Sequence, residues 1–393
     1  MQRNARLLVA VVLAGALLLA GCGRPVTDDA GPAISPRSPL VRSALERMVT
    51  EGGAPGAAAL SRDQYGPRFA SAGFSDLESR RIPLEGDRFR AGSITKTFVA
   101  TVVLQLADEG RLSLDDTVER HLPGLVRGRG NDGRAVTIAH LLGHSSGLFD
   151  YVDDPALRAR AFGRTFPEHR FDTRTPRELV RTALRHRPYF APGRGHRYSN
   201  TDYVLLGLVV AKITGRSYAE EITDRIIKPL RLTGTSMPGT DSAIPQPHGR
   251  AYSLRPGSHR LMDTTELNPS TAGAAGEAIS TLGDLNRFLR SLLKGELLPA
   301  RELRRMQDTS HSRGTYGLGL VPVRLPCDRG SLTLWGHNGS INGSYAHMLG
   351  TPGGGHLFSY RVNTERVGDE AAETDLLQAE FCPRPFRQGL SDK

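Results

Sequence analysis

Between Ser93 and Leu106 apolar residues fall so densely that the spacing predicts a helix buried on nearly every side, ending near Gly110. A second pattern, Leu285, Phe288, Leu289, Leu292 and Leu293, keeps to helical spacing with a polar opposite face, and Gly295 stops it. Leu40 to Gly52 reads as a short amphipathic helix and Val367 to Phe381 as a final one. Strand-like runs lie early, at Gly56–Leu60 and Arg68–Phe74, and late, at Leu332–Gly336, Ser344–Leu349 and His356–Val362. From about Leu112 to Tyr252 the pattern is helices and loops broken by Pro and Gly. Strands at both ends with helices between them predict an α+β domain. Its mostly antiparallel sheet joins the two ends of the chain, beside a helical subdomain over about 112–252.

The first residues change the picture of where this domain resides. Arg3 and Arg6 precede an apolar run from Leu7 to Ala20, then Leu19-Ala20-Gly21-Cys22, a signal peptide over 1–21 whose small residues before a cysteine resemble the bacterial lipobox. The run is short for a membrane span. The expectation is an exported lipoprotein, acylated at Cys22 and held by a lipid anchor to the outer face of the cytoplasmic membrane; the alternative is an ordinary secreted protein. Residues 22–39, rich in Pro and Gly, read as a disordered tether, and 383–393 as a loose tail. The chain has three cysteines, so lipidation of Cys22 leaves Cys327 and Cys382 as a possible pair.

The net charge of +10 raises the question of nucleic acid. The arginines are scattered among acids and the leader directs the chain out of the cytoplasm, so no nucleic-acid partner is expected. No zinc-type spacing of His, Cys or carboxylates occurs, and neither metal nor cofactor is expected.

The candidate chemistry begins at Ser93-Ile94-Thr95-Lys96, which sets a hydroxyl and an amine on one face at the start of the buried helix. A serine needs its proton taken, and a desolvated lysine can take it. The helix N-terminus favours developing negative charge. Ser291-Leu292-Leu293-Lys294 repeats the spacing but falls in the last turn of an amphipathic helix, where Lys294 is an ordinary last-turn cation. Of 51 basic residues only five are lysines, and Lys96 is one of them; arginine could not serve as the base.

Two further stretches join the first. Tyr198-Ser199-Asn200 follows the loop Pro192-Gly193-Arg194-Gly195 and precedes a helix running to about Gly215. On their own, Asn200 reads as an N-cap and Tyr198 as a half-buried loop aromatic. Gly336-His337-Asn338-Gly339-Ser340 follows Trp335 on an expected strand, where glycine marks close approach of a ligand to backbone and a second N–H can complete an oxyanion hole with that of Ser93.

With these three the chain resembles the serine penicillin-recognising enzymes, comprising class C β-lactamases, low-molecular-mass penicillin-binding proteins and related esterases. Ser93 to Lys96 matches Ser-x-x-Lys, Tyr198 to Asn200 matches Tyr-x-Asn, and His337-Asn338-Gly339 stands in for Lys-Thr-Gly. Within the family it is most similar to secreted D-alanyl-D-alanine carboxypeptidases with a His-Thr-Gly third motif. Phe89–Ser93, Leu141–Leu148, Ala272-Gly273-Ala274 and Tyr316–Leu320 support this, and Cys327 and Cys382 resemble the disulfide pair of those enzymes. The resemblance covers about Leu40 to Cys382. It implies the β-lactamase/transpeptidase fold, an antiparallel sheet flanked by helices beside an all-helical subdomain, with the active site in the cleft between them.

It also implies two-step acyl transfer on peptidoglycan peptides. Ser93 is the nucleophile, Lys96 or Tyr198 the base, Tyr198 the relay to the leaving nitrogen, and Asn200 the partner of Lys96 and the substrate amide. His337 supports Tyr198, and the N–H groups of Ser93 and Ser340 form the oxyanion hole. Asn338, Gly339 and Ser340 are expected to bind substrate, and β-lactams to be covalent ligands. His144 is expected to be a packed structural histidine, not part of a Ser-His-Asp triad. Two departures bear on substrate. Valine (Val321) stands where the similar carboxypeptidases place a carboxylate-binding arginine, leaving Arg324 as a weak substitute that faces the other side of a strand. A tryptophan expected ahead of Ala272 is absent, with Asn268 near its place. A family esterase or D-amino-acid amidase acting on small esters or amides is therefore the alternative, and a lipoprotein that senses peptidoglycan or β-lactams without turnover a further one.

Overall fold

A computed structural model of the chain describes residues 37–382, except 256, 259, 329, 366, 368 and 369. The expected leader over 1–21, the lipidation site Cys22, most of the tether and the tail from 383 lie outside the described residues. Among those described, no helix is long and apolar enough to cross a membrane.

The main sheet has six antiparallel strands. In chain order these are β1 (Gly56–Asp63), β2 (Gly66–Gly73), β3 (Val321–Cys327), β4 (Gly330–Ile341), β5 (Ser344–Gly350) and β6 (Leu357–Val362), and across the sheet they run β2-β1-β6-β5-β4-β3. The N-terminal β1 pairs with the C-terminal β6 from Ala57 opposite Val362 to Arg62 opposite Leu357, so the ends of the chain meet in mid-sheet. Alternate residues serve opposite faces. Ala57 and Ala59 pack on one face with α1 (Arg37–Thr50) and α5 (Glu370–Phe381), through Leu45, Met48, Leu376 and Phe381. Ala58 and Leu60 face the other core with α2 (Thr95–Asp108) and α4 (Leu282–Leu293).

Helix α2 is the axis of that second core. Every residue from Thr95 to Leu106 is buried except Gln105, as its unbroken apolar run requires, and the Phe98 ring stacks on Phe288 of α4 at 3.8 Å. Between α2 and α4 the chain is mainly short helices around α3 (Asn200–Thr214), with two small paired ribbons, Arg127–Gly128 with Asn131–Asp132 and Tyr252–Leu254 with Leu261–Asp263. Cys327 at the end of β3 is bonded to Cys382 just past α5.

The structure departs from the expected boundaries in three places. Helix α1 begins at Arg37, inside the expected tether. The strand expected over Leu332–Gly336 runs on to Ile341, because β5 pairs with it along its whole second half, from Trp335 opposite Gly350 to Ile341 opposite Ser344, and carries the unpromising His-Asn-Gly-Ser segment into the sheet. Finally, β3 has no counterpart among the expected strand runs, and it pairs with β4 only as far as Val321 opposite Gly336, leaving the edge from His337 onward open.

Candidate active site

That open edge is where the nucleophile turn docks. Gly92 (φ +55) and Ser93 form a 3₁₀ turn leading into α2, tied down by the Thr95 hydroxyl, which donates to the Gly92 carbonyl at 2.7 Å and accepts from the Ala278 N–H at 3.0 Å. Turn and strand touch backbone to backbone. A Cβ on Gly92 would stand 2.7 Å from the Ser340 nitrogen, and one on Gly339 would collide with the Ala91 carbonyl and stand 2.8 Å from the Ser93 nitrogen. Glycine is required at both positions, and the contact brings the Ser340 backbone beside Ser93, the placement an oxyanion hole needs.

Lys96, the second residue of α2, is fully buried. Its Nζ lies 3.1 Å from Ser93 Oγ, 2.8 Å from Asn200 Oδ1 and 2.6 Å from the Ala275 carbonyl. Burial pushes the ammonium down to about 7, against the upward pull that Asp150 and Asp202 exert when ionised. A neutral amine keeps two N–H donors and one lone pair. With Asn200 and Ala275 taking the donors, the lone pair faces Ser93.

Asn200 is the first residue of α3, and the N-cap position belongs to Ser199, whose side chain makes no capping bond. The Asn200 amide is instead strung between Lys96 and Asp150, to which its Nδ2 donates at 2.9 Å. Tyr198 places its ring 4.7 Å from Lys96 Nζ and its hydroxyl on Ser93. Burial pushes this phenol well up, which favours its protonated form.

His337 reaches the site by a different route from the one expected. Its Nδ1 bonds the Asn338 carbonyl at 2.5 Å, so Nε2 is left to accept from the Tyr316 hydroxyl at 3.0 Å. Burial drives the imidazole down to about 3, leaving it neutral. The Tyr316 ring stands edge-on to that of Tyr198 at 6.1 Å, so Tyr316 is the residue in contact with both His337 and Tyr198. His144 is a packed, hydrogen-bonded histidine. It is fully buried, with Nδ1 2.9 Å from Asp202 Oδ2 and its ring against that of Tyr198 at 4.2 Å.

Two expected substrate contacts are corrected. Asn338 alternates to the far face of β4, where its Nδ2 meets the Tyr345 hydroxyl at 3.3 Å, away from Ser93. Arg324 is exposed opposite Thr333, seven residues and so about 23 Å along the strand from Ser340. Ser340 keeps a place through its backbone, its hydroxyl being turned onto the Glu365 carbonyl.

Several contributors escaped sequence reasoning. Asp150 and the Ala275 carbonyl have no spacing signal, although Ala275 directly follows the noted Ala272-Gly273-Ala274 segment. Asp202 and Tyr316 lie within or beside noted segments but carried no assigned role. In front of Ser93 opens a cavity of about 150 Å³ walled by Val152, Phe162, Phe166, Leu267 and Ile341, with Arg170 at its side and no carboxylate among the described lining residues. Nor does any cluster of His, Cys, Asp or Glu among the described residues suit a metal ion.

Comparison with known proteins bears on the whole of this domain. The family model described as "Beta-lactamase" matches residues 41–381. Protein flp of Staphylococcus aureus (strain N315) is 28% identical over 70% of this chain and 52% of its own length, and Penicillin-binding protein 4* of Bacillus subtilis (strain 168) is 32% identical over 42% of this chain and 34% of its own. The chain thus spans about half the length, or less, of these curated relatives. A D-stereospecific amidohydrolase from Streptomyces sp. superposes with a TM-score of 0.80 at 44% identity, covering 88% of this chain and 99% of that one.

Proposed function

The chain belongs to the beta-lactamase family of serine hydrolases, and from that premise we propose that it is a D-stereospecific amidohydrolase working through an acyl-enzyme. The observation that carries the reading is the fully buried Lys96 amine 3.1 Å from the Ser93 hydroxyl, opening onto an apolar cavity. Ser93 Oγ attacks the carbonyl of a D-configured amide or ester as Lys96 takes its proton. The N–H groups of Ser93 and Ser340 receive the oxyanion, each donor worth about 3 kcal/mol. Tyr198, hydrogen-bonded to Ser93, gives its proton to the leaving nitrogen or oxygen and recovers the one that Lys96 accepted, and water repeats the steps to free the acid.

The substrate class follows from the walls. Phe162, Phe166, Leu267 and Ile341 suit an apolar side chain, and Val321, opposite Gly336 at the end of β3, stands where the resembling carboxypeptidases carry their carboxylate-binding arginine. The Streptomyces amidohydrolase supports the same reading. D-Alanyl-D-alanine carboxypeptidase activity is the second reading. It uses the same machinery, is supported by the penicillin-binding relative, and would rely on Arg170, the guanidinium at the side of the cavity. β-Lactams, as cyclic amides, are expected to acylate Ser93 in either case. Export and lipid anchoring at Cys22 complete the proposal, and Cys22→Ser is expected to release the protein from membranes.

The deciding assay offers D-phenylalanine amide, its L-enantiomer and a D-alanyl-D-alanine peptide to the purified protein. Turnover of the D-amide well above the other two supports the amidohydrolase. Release of D-alanine, lost in Arg170→Ala, selects the carboxypeptidase. Labelling by a fluorescent penicillin without turnover of any of the three would instead make the protein a sensor.

A further inference from the structure

Positive charge is not spread evenly over this chain. Residues 155–197 hold eleven arginines against three acids, Glu168, Asp172 and Glu178, and so carry +8 of the net +10. This corrects the expectation that the arginines are scattered among acids. Several are paired: Arg158 and Arg197 share Asp153 at 3.4 and 3.6 Å, Arg185 lies 3.6 Å from Asp154, and Arg174 lies 3.5 Å from Asp172. Arg170 belongs to the cavity at Ser93. The other six, Arg160, Arg164, Arg177, Arg181, Arg187 and Arg194, are exposed, with no carboxylate in ion-pair contact among the described residues.

The surplus has a shape. On the helix Pro176–Leu184 the buried side chains are Leu179, Val180 and Ala183, and the opposite side carries Arg177 and Arg181, with Arg185 at the C-cap continuing the row. Members of the row are four residues, and so about 6 Å of axis, apart. Glu178, the one acid in this helix, is taken up by the cap, accepting from the Thr175 N–H and hydroxyl at 2.8 Å each. Like charges at this spacing repel, so the row is unfavourable for the helix alone and is relieved by an anionic partner. Past Arg185, the backbone of Arg187 is brought near that of Arg129, because a Cβ on Gly130 would stand 3.6 Å from the Pro188 ring. At the other end the Arg174 N–H bonds the Ser270 hydroxyl at 3.0 Å, close in the chain to Phe171, which is 49% exposed. The short helix Pro155–Ala161 buries no side chain and spans the same two ends. It starts from Asp154, which holds Arg185 and His186, and leads to Phe162, 47% exposed at the cavity.

We propose that this face of the helical subdomain rests on an anionic bilayer, with its arginines on the lipid phosphates and Phe162 and Phe171 at the level of the headgroups. Exposed aromatic rings set among arginines suit a membrane interface, whereas a soluble polyanion has no use for them. The apolar side of Pro176–Leu184 is buried in the core, so the contact is with headgroups. Anchoring at Cys22, as proposed above, would keep a bilayer within reach, since the 15 residues from 22 to 36 extend to roughly 50 Å at most. Acyl chain and basic face together hold more firmly than either alone. Binding through the face alone is reversible and falls with salt, so loss of the acyl chain still releases the protein on washing.

Co-sedimentation with vesicles tests this on the chain from Gly23 onward, which contains the whole described domain and carries no acyl chain. Binding to phosphatidylcholine vesicles is expected only when phosphatidylglycerol is included, and is expected to weaken as salt is raised. Arg177→Gln/Arg181→Gln/Arg187→Gln should weaken it on the order of a hundredfold. The matching lysine variant keeps the charge and should bind within about threefold of the unaltered chain. None of the three residues lines the cavity at Ser93, and all are exposed, so melting curves of both variants should match that of the unaltered protein. No binding to anionic vesicles, equal binding to neutral ones, or binding that survives the glutamine substitutions overturns the proposal. Arginine-dependent binding to heparin with none to vesicles would make the partner a soluble polyanion and also overturns it. None of these measurements uses Ser93, so the membrane face and the hydrolase reading stand or fall separately.

Discussion

Two helices of this molecule carry serine and lysine three residues apart, one pair at the turn opening α2 and the other at the end of α4. In α2 the lysine is fully buried, with three defined partners, and its serine sits on a 3₁₀ turn against an open strand edge. In α4 the order of burial is reversed: Ser291 is buried on the packed face of the helix and Lys294 is exposed at its C-terminus. Spacing puts hydroxyl and amine within reach in both. Desolvation, a lone pair aimed by two other acceptors, and donors for the oxyanion exist in only one.

The comparison is most sharply broken at the serines. Ser93→Ala is expected to lower kcat/KM on the order of 10⁴-fold and to abolish penicillin labelling, whereas Ser291→Ala should leave both unchanged within about twofold. Loss of labelling on changing Ser291 would reverse the assignment. The lysines come next. Lys96→Arg places a permanent cation where a base is needed and should cost on the order of 10³-fold in kcat, while Lys294→Arg should be silent. In the unaltered enzyme the neutral amine is the active form. The rate should therefore rise with pH up to about 7, falling about tenfold for each unit below it, and a pH profile of kcat/KM reads this directly.

The sequence made one side of this contrast legible because its parts are local. Ser93 and Lys96 share a helix face, the density of apolar residues foretold the burial of α2, and Gly295 marked the other copy as a helix end. The motif order also brought Tyr198, Asn200 and His337 to the same place. What stayed hidden depends on contacts between elements far apart in the chain. Nothing around Asp150 announces that it will hold an amide fifty residues on, and a backbone carbonyl such as that of Ala275 has no letter of its own. His337 was found but its partner was not, because the intervening Tyr316 comes from a loop that only the closed sheet brings near. Asn338 was misplaced for want of one bit of information, the face to which an alternating strand turns each side chain.

Asp150 offers a finer test of what sets Lys96 apart. It anchors the Asn200 amide and its charge pulls the Lys96 ammonium upward. Asp150→Asn keeps an acceptor for Asn200 but removes that pull, so the amine should lose its proton more readily. The acid limb is expected to move to lower pH, by roughly half a unit to one unit, with kcat above it reduced less than about tenfold. Movement toward higher pH would mean that Asp150 acts on Lys96 chiefly through geometry.

The smallest effect is expected at Asp202, although it is the more deeply buried of the two acids. Two features favour its ionised form, Lys96 nearby and its place in the first turn of α3. Against them, burial pushes its carboxyl well above the usual range. The hydrogen bonds decide between the two. The Ser199 N–H is already directed at His144 Nδ1 at 3.3 Å, so that nitrogen is an acceptor, and the contact with Asp202 Oδ2 at 2.9 Å needs its proton from the carboxyl. The Ser146 hydroxyl donates to the other oxygen at 2.5 Å. Asparagine reproduces this pattern atom for atom, with its NH₂ toward His144 and its carbonyl toward Ser146. Asp202→Asn should therefore hold the acid limb within about 0.3 of a pH unit, and the infrared band of a protonated carboxyl should be present in the unaltered protein and absent from the variant. A limb displaced downward by about a unit, as removal of a charge near Lys96 would produce, would show that the buried acid is ionised and that Lys96 keeps its low proton affinity in spite of it.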